Sequence, residues 1–378
     1  MRPVYLDYNG TTPIDPEVFA AMRPFLEEEF GNPSSSHRYG IRPKQAVEEA
    51  RRQIAAFIGC FPDEIIFTSG GTESNNYAVK CMARSLKNKG RHIVTSAFEH
   101  PAVLEVCRYL ENEGYEITKV AVDTSGIVCL KEMERCLRPD TILISLMHAN
   151  NEVGTVQPVA KIAQLAGTRG IAVHTDAAQS SGKIPVDVSQ LGVDLLSIAG
   201  HKIYAPKGVG ALYIRQDLAP ENFFHGAGQE LGRRAGTENV AGIVGLGKAC
   251  EIAARDLVHS MGHMQSLRDR LYEGIAVRVN DIKLNGHPAR RLPNTLSLSF
   301  KGIEADRLLE EIGPEVAASA GAACHAGKTA VSHVLEAMHV PLEWARGTLR
   351  FSVGRMSTEQ EIDRAISAIA EAVIRLRN

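Results

Sequence analysis

The sequence predicts an α/β protein built on a largely parallel sheet. Seven short apolar runs, rich in β-branched residues and without strict alternation, are typical of strands covered on both faces. They occupy residues 64–68, 91–96, 116–120, 141–148, 171–175, 195–199 and 210–214. The runs with helical periodicity have the length of crossover connections between parallel strands, and they occupy residues 42–57, 74–87, 102–113 and 159–167. This alternation indicates a parallel sheet with helices on its faces.

The last third of the chain changes character. A run without proline, residues 241–279, predicts one or two long helices. Residues 293–300 and 349–353 follow as predicted strands, and 358–376 form a closing amphipathic helix. We therefore expect a second, smaller α+β domain, joined tightly to the first because no linker separates them.

Composition favours a small-molecule site. The 42 basic and 44 acidic residues give a formal charge of -2, which provides no electrostatic footprint for nucleic acid or an anionic membrane. Seven cysteines without a Cys-x-x-Cys pair fit neither a disulfide framework nor a zinc knuckle. The N-terminus lacks a signal-peptide pattern and no apolar run reaches the length of a membrane span, so we expect a cytoplasmic protein.

Two runs about twenty residues apart carry the most specific chemistry. Residues 194–202 end an apolar strand in Gly-His-Lys, and residues 174–179 end another in a carboxylate beside small residues. Lys202 can condense with the aldehyde of pyridoxal phosphate, and Asp176 can keep the ring nitrogen of that cofactor protonated. The alternative, a surface lysine and a helix-capping carboxylate, stays open on these residues alone.

Other polar residues are expected at the same edge of the sheet. The turn Gly70–Gly71 with Thr72 follows a strand and begins a helix, where backbone N–H groups can bind phosphate. His100 follows the next strand and can stack on a ring, and Asn151 or Gln179 can donate to a ring hydroxyl. Ordinary turns and polar loops remain the alternative for each.

Two C-terminal residues complete the candidate site. Cys324 lies in a run of small residues, about 319–332, beside His325, and nearby positive charge favours its reactive thiolate. Arg350 alternates with Leu349 and Phe351 along a strand and can clamp a carboxylate. A small buried thiol and a surface ion pair are the alternatives. His259 and His263 have ligand spacing but no further ligand nearby, so we expect no metal.

These residues, taken in order, resemble the pyridoxal-phosphate-dependent cysteine desulfurases and selenocysteine lyases. The resemblance extends from Tyr5 to the last helix and rests on Leu6-Asp7-Tyr8-Asn9-Gly10-Thr11-Thr12-Pro13, Thr68-Ser69-Gly70-Gly71-Thr72-Glu73-Ser74-Asn75-Asn76, Glu99-His100, Asn150-Asn151-Glu152, Asp176-Ala177-Ala178-Gln179, Gly200-His201-Lys202 and Ala323-Cys324-His325. It implies the type I fold of pyridoxal-phosphate enzymes and a homodimer. It also implies a large cofactor domain, 15–255, and a small domain, 1–14 with 256–378.

The resemblance also implies a role for each residue. Lys202 carries the cofactor and then removes the Cα proton of the substrate, Asp176 pairs with the ring nitrogen, and His100 stacks on the ring. Asn151 and Gln179 address the ring hydroxyl. Gly71, Thr72 and His201 surround the phosphate, and Thr237 reaches the phosphate of the neighbouring subunit. Asn151 and Arg350 bind substrate, and Cys324 receives its sulfur.

The implied reaction converts L-cysteine to L-alanine with a persulfide on Cys324, from which an acceptor protein can take the sulfur. Ala199 replaces a serine that iron–sulfur desulfurases commonly carry, and Gly-Ala-Ala-Cys-His at 321–325 is closer to selenocysteine lyases. A selenocysteine lyase acting on L-selenocysteine is therefore the second hypothesis. An aminotransferase on the same fold, which needs no Cys324, is the third.

Overall fold

The computed structural model describes residues 2–320 and 331–378, together with the backbone of two short paired strands, Cys324–His325 and Lys328–Thr329. Two sheets organise the described chain, one of seven strands and one of four. None of the helices in these ranges is long and apolar enough to cross a membrane.

The seven predicted strands form the larger sheet. In spatial order they are Ile65–Thr68, Gly210–Ile214, Leu195–Ala199, Ala172–Asp176, Thr141–Ser145, His92–Ser96 and Glu116–Val120. Gly210–Ile214 is antiparallel to both neighbours, and the other pairings are parallel. The predicted run 141–148 ends early as a strand, although Leu146 N and His148 N still donate to the strand Ala172–Asp176.

Both faces of this sheet are buried, which explains why its strands lack strict alternation. Along Gly210–Ile214, Ala211 and Tyr213 pack in one hydrophobic cluster. Leu212 and Ile214 pack in another on the opposite face. Side chains alternate between faces along a strand, so every position here meets apolar neighbours.

The helices agree closely with the predicted runs. Gly71–Asn76 continues through a π-helical turn, Tyr77–Cys81, into Met82–Ser85. The other α-helices are Pro16–Glu27, Arg38–Ile58, Pro101–Asn112, Leu130–Cys136, Val159–Gly167, Val188–Leu191, Val240–Ala276, Ala305–Ile312, His333–Ala337, Leu342–Ala345 and Glu359–Arg377, and the 3-10 turns are Pro62–Glu64, Gly200–Lys202 and Glu230–Gly232.

The smaller sheet is antiparallel and has its own core. Its strands, in order, are Ser319–Ala320, Thr348–Ser352, Thr295–Phe300 and Ile282–Asn285. Leu298, Phe351 and Ile369 belong to this core, and Ile369 lies on the closing helix. The N-terminal strand Val4–Tyr5 pairs with Val316–Ala317 beside it. The two predicted strands and the closing helix are confirmed with shifts of one or two residues.

One helix of 37 residues, Val240–Ala276, connects the two cores. Its first half packs into the core of the larger sheet through Ile243 and Leu246. Its second half packs into the core of the smaller sheet through Leu267 and Leu271. The predicted domain boundary, between 255 and 256, falls inside this helix, and the division into domains stays a prediction.

Candidate active site at the carboxyl edge of the larger sheet

The carboxyl ends of the parallel strands border a cavity of about 100 Å³. Seven of the predicted site residues line it: Gly71, Thr72, His100, Asn151, Asp176, Gln179 and His201. Asn75, Ala199 and three further alanines complete the wall with Met147. The fold therefore collects residues that are up to 130 positions apart in sequence around one small volume.

Asp176 is a buried carboxylate at the end of its strand. Its Oδ2 accepts a hydrogen bond of 2.7 Å from Asn75 Nδ2, and its Oδ1 accepts one of 2.9 Å from the backbone N of Ala178. No basic side chain of the described ranges forms an ion pair with it. A buried anion held only by neutral donors suits a cationic ligand group, because an opposite charge offsets its desolvation.

Lys202 follows the neighbouring strand, as the Gly-His-Lys pattern predicts. Its Nζ donates to the carbonyl oxygens of Asn9 at 2.5 Å and Gly10 at 2.7 Å. Burial, and after it the positive charge of Arg350, lower the pKa of this amine to about 8. The amine can therefore lose its proton close to neutral pH, as a nucleophile or a base must.

The turn predicted to bind phosphate packs tightly against the strand that leads to Lys202. A Cβ atom on Gly71 would lie 3.3 Å from the Cβ of Ala199. Glu73, in the first turn of the helix, accepts from the backbone N of Ser69 at 2.8 Å. Burial lowers the pKa of His201 to about 4, which makes this imidazole neutral near pH 7.

His100 and Gln179 are held in fixed orientations. His100 Nδ1 accepts from the backbone N of Ala102 at 3.1 Å and caps the helix Pro101–Asn112, which leaves its Nε2 as the protonated nitrogen. Gln179 donates through Nε2 to the carbonyl of Asn9 at 3.1 Å and accepts at Oε1 from Lys183 at 2.8 Å.

Arg350 lies on the central region of the smaller sheet and reaches the cavity wall. Its Nη1 donates to the carbonyl of Asn151 at 3.2 Å, and its Nη2 pairs with Asp7 Oδ1 at 2.6 Å. Its Nε is buried with no hydrogen-bond partner among the described residues. A guanidinium with one free donor and a displaceable partner is able to bind a further carboxylate.

The side chain of Cys324 lies outside the described residues, but both flanks of 321–330 are placed. Before it, Ser319 pairs with Arg350 in the smaller sheet. After it, Ser332 Oγ donates to Glu152 Oε2 at 2.6 Å, and His333 Nε2 donates to the carbonyl of Glu99 at 2.9 Å. Arg350 contacts the lining residue Asn151, and Glu152 and Glu99 are next in sequence to the lining residues Asn151 and His100. The segment that carries Cys324 therefore begins and ends beside the cavity.

Thr237 lies outside this cavity. It lines another, of about 130 Å³, with Thr68, Glu230 and Arg234 among the other lining residues. Its predicted role toward the phosphate of a second subunit stays a prediction.

Four residues at or behind the cavity had no predicted role: Asp7, Asn9, Asn75 and Lys183. Their contacts join distant parts of the chain; Asn9, for example, contacts Gln179 across 170 positions and Thr295 across 286. Local sequence gives no sign of such contacts. The one available signal was the presence of Asp7, Asn9 and Asn75 inside the motifs that carried the resemblance.

Comparison with known proteins agrees with the geometry. Residues 4–365 match the protein family described as Aminotransferase class-V. The chain is 48% identical over 377 residues to "Cysteine desulfurase IscS" of Dictyoglomus turgidum, which covers 100% of this chain and 96% of that protein. The structure superposes on a solved "NIFS-LIKE PROTEIN" with a TM-score of 0.94 and 39% identity, covering 99% and 100% of the two chains.

A second solved structure, "SspA in complex with cysteine", is similar over 94% of this chain and 99% of its own, with a TM-score of 0.82 and 35% identity. The expected type I fold of pyridoxal-phosphate enzymes is confirmed by these structural relatives. Family match, sequence identity and fold agree over nearly the full length, and the chain therefore belongs to the class-V aminotransferase family, among its cysteine desulfurases.

Proposed function

We propose that this protein is a pyridoxal-phosphate-dependent cysteine desulfurase that converts L-cysteine to L-alanine and receives the sulfur on Cys324. One observation carries the proposal. The segment that contains Cys324 has both of its flanks beside a cavity lined by the carboxylate of Asp176 and by His201. Lys202 directly follows His201, and its amine has a pKa lowered to about 8. The full-length similarity to proteins named cysteine desulfurase supports it.

The cavity suits pyridoxal 5'-phosphate. Asp176 supplies the carboxylate that a protonated pyridine nitrogen needs, and Asn75 Oδ1 is a buried acceptor without a partner among the described residues. Gly71, Thr72 and His201 would hold the phosphate, His100 would cover the ring, and Asn151 and Gln179 would contact the ring oxygen. When bound, this cofactor supplies an electron sink for the bond that breaks at the substrate.

The chain's own residues bind the substrate and move its protons. Arg350 would hold the substrate carboxylate, with Asn151 beside it. The Lys202 amine is the base that takes the Cα proton, because a pKa of about 8 leaves part of it unprotonated near neutral pH. The carbonyls of Asn9 and Gly10 accept from this amine and hold it in place.

The sulfur step balances between two thiols. The Cys324 thiolate attacks the substrate sulfur, an S–S bond forms, and the Cβ–S bond of the substrate breaks. The electron pair of that bond, with a proton, stays on Cβ, so L-cysteine and the Cys324 thiol yield L-alanine and a Cys324 persulfide. A second thiol, on an acceptor protein, would then take the outer sulfur.

A homodimer and an acceptor protein are part of this proposal. Thr237 would contact the phosphate held by the second subunit. Large apolar side chains are exposed near the cavity that Thr237 lines, including Leu231 at 67% and Phe224 at 41%. Light scattering of the purified protein tests the dimer. The cytoplasmic location stays a prediction from the sequence.

The deciding experiment compares the wild-type protein, Cys324→Ala and Cys129→Ala, all loaded with pyridoxal phosphate. Cys129 is an exposed cysteine and serves as the matched control. We expect alanine release from L-cysteine by the wild type and the control but not by Cys324→Ala, and one added sulfur on Cys324 by mass spectrometry. Full alanine release by Cys324→Ala would contradict the sulfur-accepting role of Cys324. Transfer of the amino group of L-cysteine to a keto acid, without loss of its sulfur and unaffected by Cys324→Ala, would indicate an aminotransferase, and activity on L-selenocysteine alone would indicate a selenocysteine lyase.

A further inference from the structure

A buried lysine that the proposed reaction does not use lies behind the cavity. Lys183 is 4% exposed, and its Nζ donates to Gln179 Oε1 at 2.8 Å and to Asn9 Oδ1 at 3.1 Å. No carboxylate in the described ranges forms an ion pair with it. Burial, with the positive charges of Lys202 and Arg350, lowers the pKa of Lys183 well below its usual range. An amine in such a place is unfavourable for stability, which suggests a role beyond packing.

Lys183 and the backbone carbonyl of Asn9 together set which end of the Gln179 amide faces the cavity. The oxygen and nitrogen of an amide have nearly the same shape, so hydrogen-bond partners set its orientation. Gln179 Oε1 accepts from Lys183, and one N–H of Nε2 donates to the carbonyl of Asn9. Because Gln179 lines the cavity, its remaining N–H is the group that it can offer to a ligand.

Asn9, the second partner of Lys183, is fixed from every side. Its Nδ2 donates to the carbonyl of Asn151 and to Thr295 Oγ1, and its Oδ1 also accepts from Asn294 Nδ2 at 2.9 Å. Its backbone carbonyl accepts from both Gln179 and Lys202. Because Asn9 is fixed, its backbone carbonyl stays in place as the acceptor for Gln179 Nε2. Gln179 therefore keeps its orientation as long as Lys183 donates to its Oε1.

We propose that Lys183 is a positioning residue that holds Gln179 with an N–H donor directed at the ring oxygen of the bound cofactor. A donor at that oxygen would favour its anionic form and so lower the pH at which the bound cofactor loses its proton. Because a cofactor in this cavity belongs to the proposed function, the inference deepens that function. Lys183 acts through Gln179 without touching the cofactor.

The test is the pH dependence of the absorption of the bound cofactor, measured without substrate. Lys183→Met keeps the length of the side chain but has no donor, whereas Lys183→Gln retains one. We expect Lys183→Met to raise the midpoint pH by roughly half to one unit, the size of one neutral hydrogen bond. Lys183→Gln should return it most of the way to the wild-type value. Ser180→Ala, on the same buried turn, should not move it.

A second variant, Gln179→Leu, tests the same hydrogen bond if Lys183→Met does not fold. Gln179→Leu removes the amide itself and should raise the midpoint by a similar amount, with no further rise when Lys183→Met is added to it. Equal midpoints for the wild type, Gln179→Leu and Lys183→Met would overturn the role of Lys183 while leaving the proposed function intact. A wild-type protein that shows no cofactor absorption after loading would overturn both.

Discussion

Asp7 binds Arg350 through an ion pair of 2.6 Å between Oδ1 and Nη2, although 343 positions separate them. Arg350 is 8% exposed, and Asp7 is the carboxylate that pairs with it within the described ranges. In the proposed reaction the same guanidinium holds the substrate carboxylate. The Asp7 carboxylate then competes with the substrate carboxylate for Arg350. The ion pair also connects the N-terminal segment to the smaller sheet.

Replacement of Asp7 by Asn should strengthen substrate binding. The variant keeps the shape and polarity of the side chain but removes the charge that competes for Arg350. We expect the KM for L-cysteine to fall about fivefold, corresponding to about 1 kcal/mol for this ion pair between a buried arginine and a partly exposed aspartate, with little change in kcat. Steady-state kinetics of alanine release measure both constants.

The matched control is Asp15→Asn, which neutralises a carboxylate paired with Arg355 and retains the helix cap at Glu17. It should leave the KM unchanged. A rise in the KM of Asp7→Asn would contradict the competition and would show that Asp7 mainly holds Arg350 in place.

The charge of Lys202 should make the stability of the cofactor-free protein depend on pH. Its pKa is about 8 in the folded protein against 10.5 for an unperturbed lysine, so the unfolded chain binds more protons between these values. The destabilisation is fully present below pH 8 and disappears as the pH rises toward 10.5. We expect Lys202→Met to increase the free energy of unfolding at pH 7, with the gain shrinking by pH 9.5. Urea titrations at both pH values measure this, and a gain that does not change with pH would contradict it.

Glu99 should make the stability of the protein fall with rising pH, which is the opposite of the effect of Lys202, and over a lower pH range. Complete burial raises the pKa of this carboxyl to about 8, although it accepts from Ser96 Oγ at 2.6 Å and from the backbone N of Met147 at 2.9 Å. The folded protein then binds more protons than the unfolded chain between pH 4.5 and 8, and stability falls as the pH rises through that window.

Glu99→Gln keeps both hydrogen-bond partners and removes the titration. We expect the unfolding free energy of this variant to vary less between pH 5 and 8 than that of the wild type. Glu105→Gln, on the exposed face of the following helix, is the control. An unchanged pH slope in Glu99→Gln would show that other groups cause it.

Ala199 offers a gain-of-affinity test at the phosphate end of the cavity. Its Cβ faces Gly71 and lines the cavity wall, where a serine hydroxyl would add one hydrogen-bond donor for phosphate. We expect Ala199→Ser to lower the Kd for pyridoxal phosphate about three- to tenfold, the effect of one added hydrogen bond. Equilibrium titration of the cofactor-free protein measures it. Equal or weaker binding would place the phosphate elsewhere.

The strands and most helices could be predicted because their signals are local. Apolar runs such as 195–199 and 210–214 became strands of the larger sheet with unchanged bounds, and 159–167 became a helix with unchanged bounds. Buried strands need continuous apolar residues, and helices need apolar residues at helical spacing. Such requirements are met within a few positions, so they are visible without the fold.

The candidate site could be predicted only in part from the sequence. The sequence by itself determined the reactive types, a lysine after one strand and a carboxylate at the end of another, because each follows an apolar run at a fixed distance. Only the tertiary structure decided which residues contact the site residues. Asp7 forms an ion pair with Arg350, the carbonyl of Asn9 accepts a hydrogen bond from Lys202, and Lys183 donates one to Gln179. These contacts join segments that meet after the two sheets pack together. Burial then sets the pKa of Lys202 and Glu99, and burial is a property of the whole fold.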